Sequence, residues 1–233
     1  MKMAEMLANE GKNLVIEVDG KSYQRIPIKT KVVGKEDTIP AVAKEFAAEH
    51  MQEGDILFIS EKCVACTQER AIPMKDIHPS PLAKLLSKFV YKSPYGIGLS
   101  IPETMEMALR ECGTIKILWA AFWSALGKMV GKRGIFYDIA GPKARSIDGP
   151  CDCTLPPYNE YVVLGPADPD GVAKETAAAI GHKVAIIDVN DIDGVILGVS
   201  DPSMDKAWLV RVLKDNPLGQ SRQQTPMGII REI

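Results

Sequence analysis

Three carboxylates and an amide crowd one short stretch of this chain. Asp188, Asn190, Asp191 and Asp193 stand between the apolar runs Val184 to Ile187 and Val195 to Val199. Short β-branched runs bounded by turn residues read as buried strands, so the acids collect at a strand end or in the tight loop after it. Carboxylates this close repel one another unless a cation sits among them, and hard oxygen ligands suit Mg2+, Mn2+ or Ca2+. The chemistry on offer is a divalent-metal site. Asp and Asn are also the ordinary residues of turns, and no EF-hand spacing or other closed ligand motif is present, so a metal-free loop accounts for the same residues. Asp201 reads as a cap for a helix beginning near Ser203.

Other side chains offer chemistry singly. Asp138 lies in IFYDIAG, whose β-branched and aromatic run reads as a strand, a poor place for a merely solvated charge if that strand is central. Glu61 and Lys62 end the apolar run ILFIS and form either a rim ion pair or a substrate-facing acid and cation in a strand-end cleft. GKMVGKRG places Lys128, Lys132 and Arg133 among glycines, and the turn-rich segment 141–157 carries Lys143 and Arg145. Glycine with lysine can cradle phosphate, although no Walker pattern occurs. Gln220 to Thr225 form a polar loop before the apolar Met227 to Ile230, either a flexible tail or a loop anchored at both ends that can close over a ligand.

Cys63 and Cys66 form a CxxC, and Cys151 and Cys153 a CxC. If the first pair is extended its side chains point to opposite faces, and CxC is not a standard zinc spacing, so a four-thiolate site is the remote reading. His50, His78 and His182 each sit where a surface or helix-end role suffices.

Positioning these groups requires both strands and helices. Val15 to Ile26 reads as a hairpin closed by Asp19-Gly20. Ile39-Pro40 opens a helix, Leu82 to Lys92 is amphipathic, Pro102 starts the helix Glu103 to Cys112, and Asp168 caps the helix ended by Gly181. Lys29 to Asp37 is polar and turn-like. The bulky WAAFW of Lys116 to Lys132 reads as core or dimer interface. The expected class is α/β, one unit over 1–233, with 1–24 an appended N-terminal segment and hairpin strand.

Composition narrows the function. With 46% hydrophobic and 25% charged residues the chain is ordinarily globular, and a net charge of -2 argues against a nucleic-acid coat protein. The apolar segment Ile115 to Val130 is interrupted by Lys116, Ser124 and Lys128 and falls short of the ~18 to 20 residues a membrane span needs. The first residues lack a signal-peptide h-region, and five cysteines suit a reducing compartment, so a cytoplasmic protein with no membrane partner is expected.

In order along the chain, RIPIKTKVV, EGDILFISEKCVACTQER, GIFYDIAG, VVLGPADPD, KVAIIDVNDIDGVILGVSD and NPLGQSRQQTP resemble the coenzyme F420-0:L-glutamate ligase (F420-0:gamma-glutamyl ligase) family from about Arg25 onward. The resemblance implies mixed sheets with flanking helices in a homodimer, GTP or ATP as co-substrate, Mg2+ or Mn2+, and an amide formed between an amino acid and an acidic small molecule through an acyl-phosphate. Carried over by residue, Asp188 matches the Asp of the family's Ser-Asp-Thr motif, Asp138 more loosely the acid of its Asp-x-Ser-Asn motif, and Lys62 its strand-end Lys. The expected metal ligands are Asp188 and Asp138, with Asp191 added from the acid cluster where the family has no ligand, and the expected nucleotide and substrate contacts are Lys62, Lys143, Arg145 and Gln220. The chain departs from the family where Val189 replaces the Thr, Ala140-Gly141 replace Ser-Asn, and NDIDG stands in place of an Arg-rich run. A relative that kept the fold and binds ligand without turnover is the alternative those departures raise.

Overall fold

The computed structural model describes residues 7–90, 98–132, 134–190 and 194–233. Along the chain the strands are β1 (Val15–Val18), β2 (Lys21–Ile28), β3 (Ile56–Ser60), β4 (Ala71–Pro73), β5 (Tyr161–Val163), β6 (Lys183–Val189), β7 (Gly194–Val199) and β8 (Met227–Glu232). The helices are α1 (Ile39–Phe46), α2 (Glu61–Thr67), α3 (Pro81–Leu86), α4 (Pro102–Cys112), α5 (Thr114–Met129), α6 (Ile135–Ala140), α7 (Pro142–Arg145), α8 (Pro169–Ile180) and α9 (Lys206–Leu213). They group into two compact units, Met1–Glu69 with Pro166–Ile233, and Arg70–Gly165.

The first unit is built on a six-stranded sheet in the order β1-β2-β8-β3-β6-β7. Its first hairpin forms as the sequence predicts: Asp19 and Gly20 have φ of 53° and 76°, which a two-residue I′ loop demands. Only β3 and β6 run parallel; the other neighbours are antiparallel. Alternation along each strand feeds two cores. Leu57, Ile59, Val184, Ile186 and Ile229 pack with Val42 of α1, Val64 of α2 and Ala173 of α8 on one face. Phe58, Ala185, Ile187 and Ile230 meet Leu209, Val212 and Leu213 of α9 on the other. Each Val, Leu, Ile or Phe side chain among them contributes about 1.5–3 kcal/mol when fully buried. Gly228 keeps the centre closed: a Cβ there would lie 2.4 Å from the Phe58 ring and 2.8 Å from the Ile26 carbonyl oxygen.

A buried cation ties α9 to the sheet. Arg25 on β2 is fully buried, ion-paired with Asp215, and donates to the carbonyls of Val212 at 3.2 Å and Asn13 at 2.6 Å.

In the first unit the CxxC is not extended. Ser60 ends β3 and accepts from the Cys63 backbone N–H at 3.5 Å, so α2 begins at once and Cys63 and Cys66 lie on successive turns of one helix, both buried. Burial lifts the Cys63 thiol far above its ordinary range, so it stays protonated.

The second unit packs α3 to α7 around Leu99, Met105, Ile117, Phe136, Ile147 and Val162, beside the antiparallel pair β4 and β5. Pro102 opens α4 as expected. IFYDIAG, expected as a strand, is helix α6. Gly134 and Gly141, with φ of 90° and 87°, bracket it, and the residues it buries, Phe136 and Ala140, are four apart, a helical spacing. Local packing against α5 overrides β propensity here. In this unit Cys151 and Cys153 are bonded to each other.

Candidate functional site

Sheet pairing in the first unit gathers four chain segments at one end. Ser60 pairs with Ile187 in the parallel β3–β6 ladder, so the residues after Ser60 and after Ile187 lie at the same end of the sheet, where β3 gives way to α2 and β6 runs on to Val189 against β7. Those residues include Lys62, exposed in the first turn of α2, and Asp188, half-buried. Alternation places Asp188 on the same face as Val184 and Ile186, the face α2 covers. The β3–β8 ladder pairs Ile59 with Met227, and the Ser60 N–H donates to the Pro226 carbonyl at 2.9 Å, which brings the polar loop before β8 to this end. The β2–β8 ladder pairs Ile28 with Met227 and delivers the loop after β2.

The polar loop is anchored at both ends, the second of the two forms its sequence leaves open. Asn9 Nδ2 donates to the Pro217 carbonyl at 2.9 Å, the Leu218 carbonyl at 3.0 Å and Thr225 Oγ1 at 2.9 Å. Gln224 then locks to the neighbouring loop: its Nε2 donates to the Thr30 carbonyl at 2.6 Å, and the Thr30 N–H donates back to the Gln224 carbonyl at 3.2 Å. Between these anchors Gln220, Ser221 and Arg222 are exposed.

The loop after β2 adds charge. Lys31 Nζ lies 2.7 Å from Asp37 Oδ1, and Asp37 Oδ2 accepts from the Gly34 N–H at 2.9 Å. The Lys31 ammonium, and after it the Gly34 N–H, hold the Asp37 carboxyl below its usual range, while Asp37 holds Lys31 above its own. Lys29 and Lys35 are exposed on the same loop. One sheet end therefore carries Lys29, Lys31, Lys35, Lys62 and Arg222 together with Asp37 and Asp188. Such a border can bind phosphates or carboxylates, with oxygen donors left for a cation. Thr30, Lys31 and Asp37 are not legible as site residues in the sequence, where Lys29 to Asp37 offers only polar composition; the signal is the register of β2 against β8.

The expected metal ligands divide differently. Asp191 and Asp193 lie outside the described residues. Asp188 and Asn190 supply hard oxygen donors, which suit Mg2+ or Mn2+ in kind. Among the described residues no group of three or more His, Cys, Asp or Glu is arranged to hold a metal. Asp138 belongs to the second unit and sits on the exposed side of α6, not within a strand; its Oδ1 lies 3.2 Å from Arg145 Nη2, both side chains well exposed. Lys143 Nζ is 3.6 Å from Glu111 Oε1, which Arg70 engages at 2.7 Å. Asp138 and Arg145 are thus brought together in that unit, and Lys62 and Asp188 at one sheet end in the other. Asp201 does not cap a helix: its Oδ1 accepts from the Ser203 N–H at 2.9 Å, and Asp205 caps α9.

Residues 27–207 match the sequence family described as F420-0:Gamma-glutamyl ligase. A coenzyme F420:L-glutamate ligase of Methanopyrus kandleri is 26% identical over 161 residues, which is 69% of this chain and 54% of that protein. The chain thus spans about half the length of that relative. The match takes in Lys62, Asp138, Lys143, Arg145 and Asp188; the polar loop with Gln220 and Gln224 falls beyond it.

Proposed function

The chain belongs to the F420-0:gamma-glutamyl ligase family, and from that premise we propose that it is a nucleotide- and divalent-metal-dependent amide ligase. It joins an amino acid, L-glutamate first among those to test, to the carboxylate of an acidic small molecule. The observation that carries this reading is the convergence of Lys62, Asp188, the 29–38 loop and the anchored polar loop at one end of the first unit's sheet.

The reaction balances as two transfers. A carboxylate oxygen of the acceptor attacks the γ-phosphorus of GTP or ATP, forming an acyl-phosphate and releasing the nucleoside diphosphate. The amine of the amino acid then attacks the acyl carbon, forming the amide and releasing inorganic phosphate and a proton. Positioning and charge compensation dominate such chemistry. Lys62 and the loop lysines offset phosphate charge, and the loop bearing Gln220 lies beside them as the cover that excludes water. Asp188, with Asp191, would hold Mg2+ or Mn2+, which neutralises phosphate charge when bound. Lys143 and Arg145 of the second unit are further candidate anion contacts and Asp138 a further candidate ligand. The proposal carries over a homodimer, to be tested by light scattering.

One observation favours a second reading, a relative that binds ligand without turnover. Val189, where the family has Thr, packs against the Phe58 and Ile187 core and offers no hydroxyl beside Asp188. Nucleoside diphosphate release on mixing the protein with GTP or ATP, Mn2+, L-glutamate and a panel of small carboxylic acids separates the two. Turnover that needs both the amino acid and the acid supports the ligase. Nucleotide binding with no diphosphate release supports the second reading.

A further inference from the structure

The polar loop is closed at its neck by a residue from far away in the sequence. Asn9 precedes β1, and its Nδ2 donates to the Pro217 and Leu218 carbonyls and to Thr225 Oγ1. Thr225 Oγ1 in turn donates to the Leu218 carbonyl at 3.0 Å, so Asn9, Leu218 and Thr225 form a closed joint. Two of the groups facing Asn9 are carbonyls, which only accept, and the hydroxyl proton is committed to Leu218. The neck therefore demands a donor, which a carboxamide NH2 supplies and the isosteric aspartate does not.

The segment that carries Asn9 is itself fixed. Gly11, at φ 74°, reverses the chain so that the Lys12 N–H donates back to the Asn9 carbonyl at 3.0 Å. Lys12 Nζ donates to the Asp215 carbonyl at 2.9 Å, and buried Arg25 donates through Nη2 to the Asn13 carbonyl and through its backbone N–H to the Leu14 carbonyl. On the loop's side Asn216 and Leu218 are buried, and Asn216 Nδ2 donates to the Gly219 carbonyl at 3.1 Å. The joint thus sets where the exposed residues Gln220, Ser221 and Arg222 stand beside the sheet end, with Gln224 and Thr30 holding the loop's far side. Asn9 and the loop both lie outside residues 27–207, so the joint is not read from the family match.

We propose that Asn9 is a positioning residue: its carboxamide holds the polar loop in place as the cover that keeps water from the acyl-phosphate. The proposal rests on the ligase reading above. Without the joint, water attacks the acyl-phosphate before the amine does and returns the acceptor carboxylate, inorganic phosphate and a proton. Nucleotide is then consumed without amide being made, an uncoupling that lower stability alone does not produce.

The test compares wild type, Asn9→Ala and Thr225→Val by two measurements. One is amide hydrogen exchange of the ligand-free protein. The other is nucleoside diphosphate released per amide formed, with GTP or ATP, Mn2+, L-glutamate and a panel of small carboxylic acids. The Gly219 and Ser221 amides donate within the loop, to the Asn216 carbonyl at 3.0 Å and to Gln223 Oε1 at 2.8 Å. Their exchange rises roughly tenfold in Asn9→Ala and less in Thr225→Val, while β3 and β6 exchange as in wild type. Diphosphate and amide appear one to one in wild type, and diphosphate runs ahead of amide in both variants. Unchanged exchange at Gly219 and Ser221 overturns the hold of Asn9 on the loop. Faster exchange with one-to-one coupling retained overturns the loop's role as cover. No turnover by wild type with any acid of the panel overturns the ligase reading and the cover with it, and the exchange measurement still decides the joint.

Discussion

Thr30 and Gln224, nearly two hundred residues apart in sequence, exchange hydrogen bonds in both directions and stitch the loop after β2 to the loop before β8. Gln224 holds this position at φ 59°, a left-handed conformation that side chains other than Gly adopt at a cost. Gln224→Ala keeps the strain and loses the side-chain bond, an expected loss of about 1 kcal/mol. Gln224→Gly loses the same bond and relieves about 1 kcal/mol of strain, so it should come out near wild type. Urea midpoints check the pair, and equal losses would show that the backbone strain is absent.

The buried Arg25 is a charge on which the first unit depends. Its Nη1 and Nη2 satisfy Asp215 and two carbonyls from inside the core, while Asp215 retains some access to water. Arg25→Met leaves those carbonyls and the carboxylate without their donor, and stability should fall by about 3 kcal/mol. Denaturant unfolding with an unchanged slope measures it; a change under 1 kcal/mol would mean water replaces the guanidinium readily.

Acid reaches the site loop through Asp37. Its folded pKa lies below its unfolded value, so the stabilisation is fully present above the unfolded pKa and is lost as pH falls through the folded one. The 29–38 loop should therefore keep its structure through the range near pH ~4 where ordinary aspartates protonate, and loosen only below it. Lys31→Met removes the largest cause and moves the transition upward. Carboxyl chemical shifts of Asp37 follow it directly, and a titration that Lys31→Met leaves unmoved contradicts the ion pair.

Much of the first unit is legible in its residues. Asp19-Gly20 dictates the hairpin, the runs ILFIS, KVAIIDV and GVILGV become β3, β6 and β7, and Asp168 caps α8 through the Gly171 N–H at 3.0 Å. These elements obey local rules, so local reading finds them. IFYDIAG misleads because its β-branched and aromatic content speaks for a strand, while the burial of Phe136 and Ala140 four residues apart is a tertiary fact. The cysteine spacing misleads for a related reason: Ser60 turns the chain straight from strand to helix. Asp188 and Lys62 can be singled out by type and by position at run ends. Their shared location rests on the parallel pairing of β3 with β6, more than a hundred residues apart, and no window of sequence contains that. The partnership of Thr30 with Gln224 is hidden in the same way.

Asp188 is the residue on which a metal-assisted nucleotide site at this end of the sheet depends. Calorimetric titration of GTP, then ATP, into the metal-free protein with and without Mn2+, repeated on Asp188→Asn, tests it most directly. Nucleotide binding should require the metal and weaken in the variant by at least the roughly tenfold that loss of a ligand's supporting partner already causes. Nucleotide binding that is indifferent to Mn2+ and to Asp188→Asn, or no binding under any condition, would contradict a metal-assisted nucleotide site at this end of the sheet.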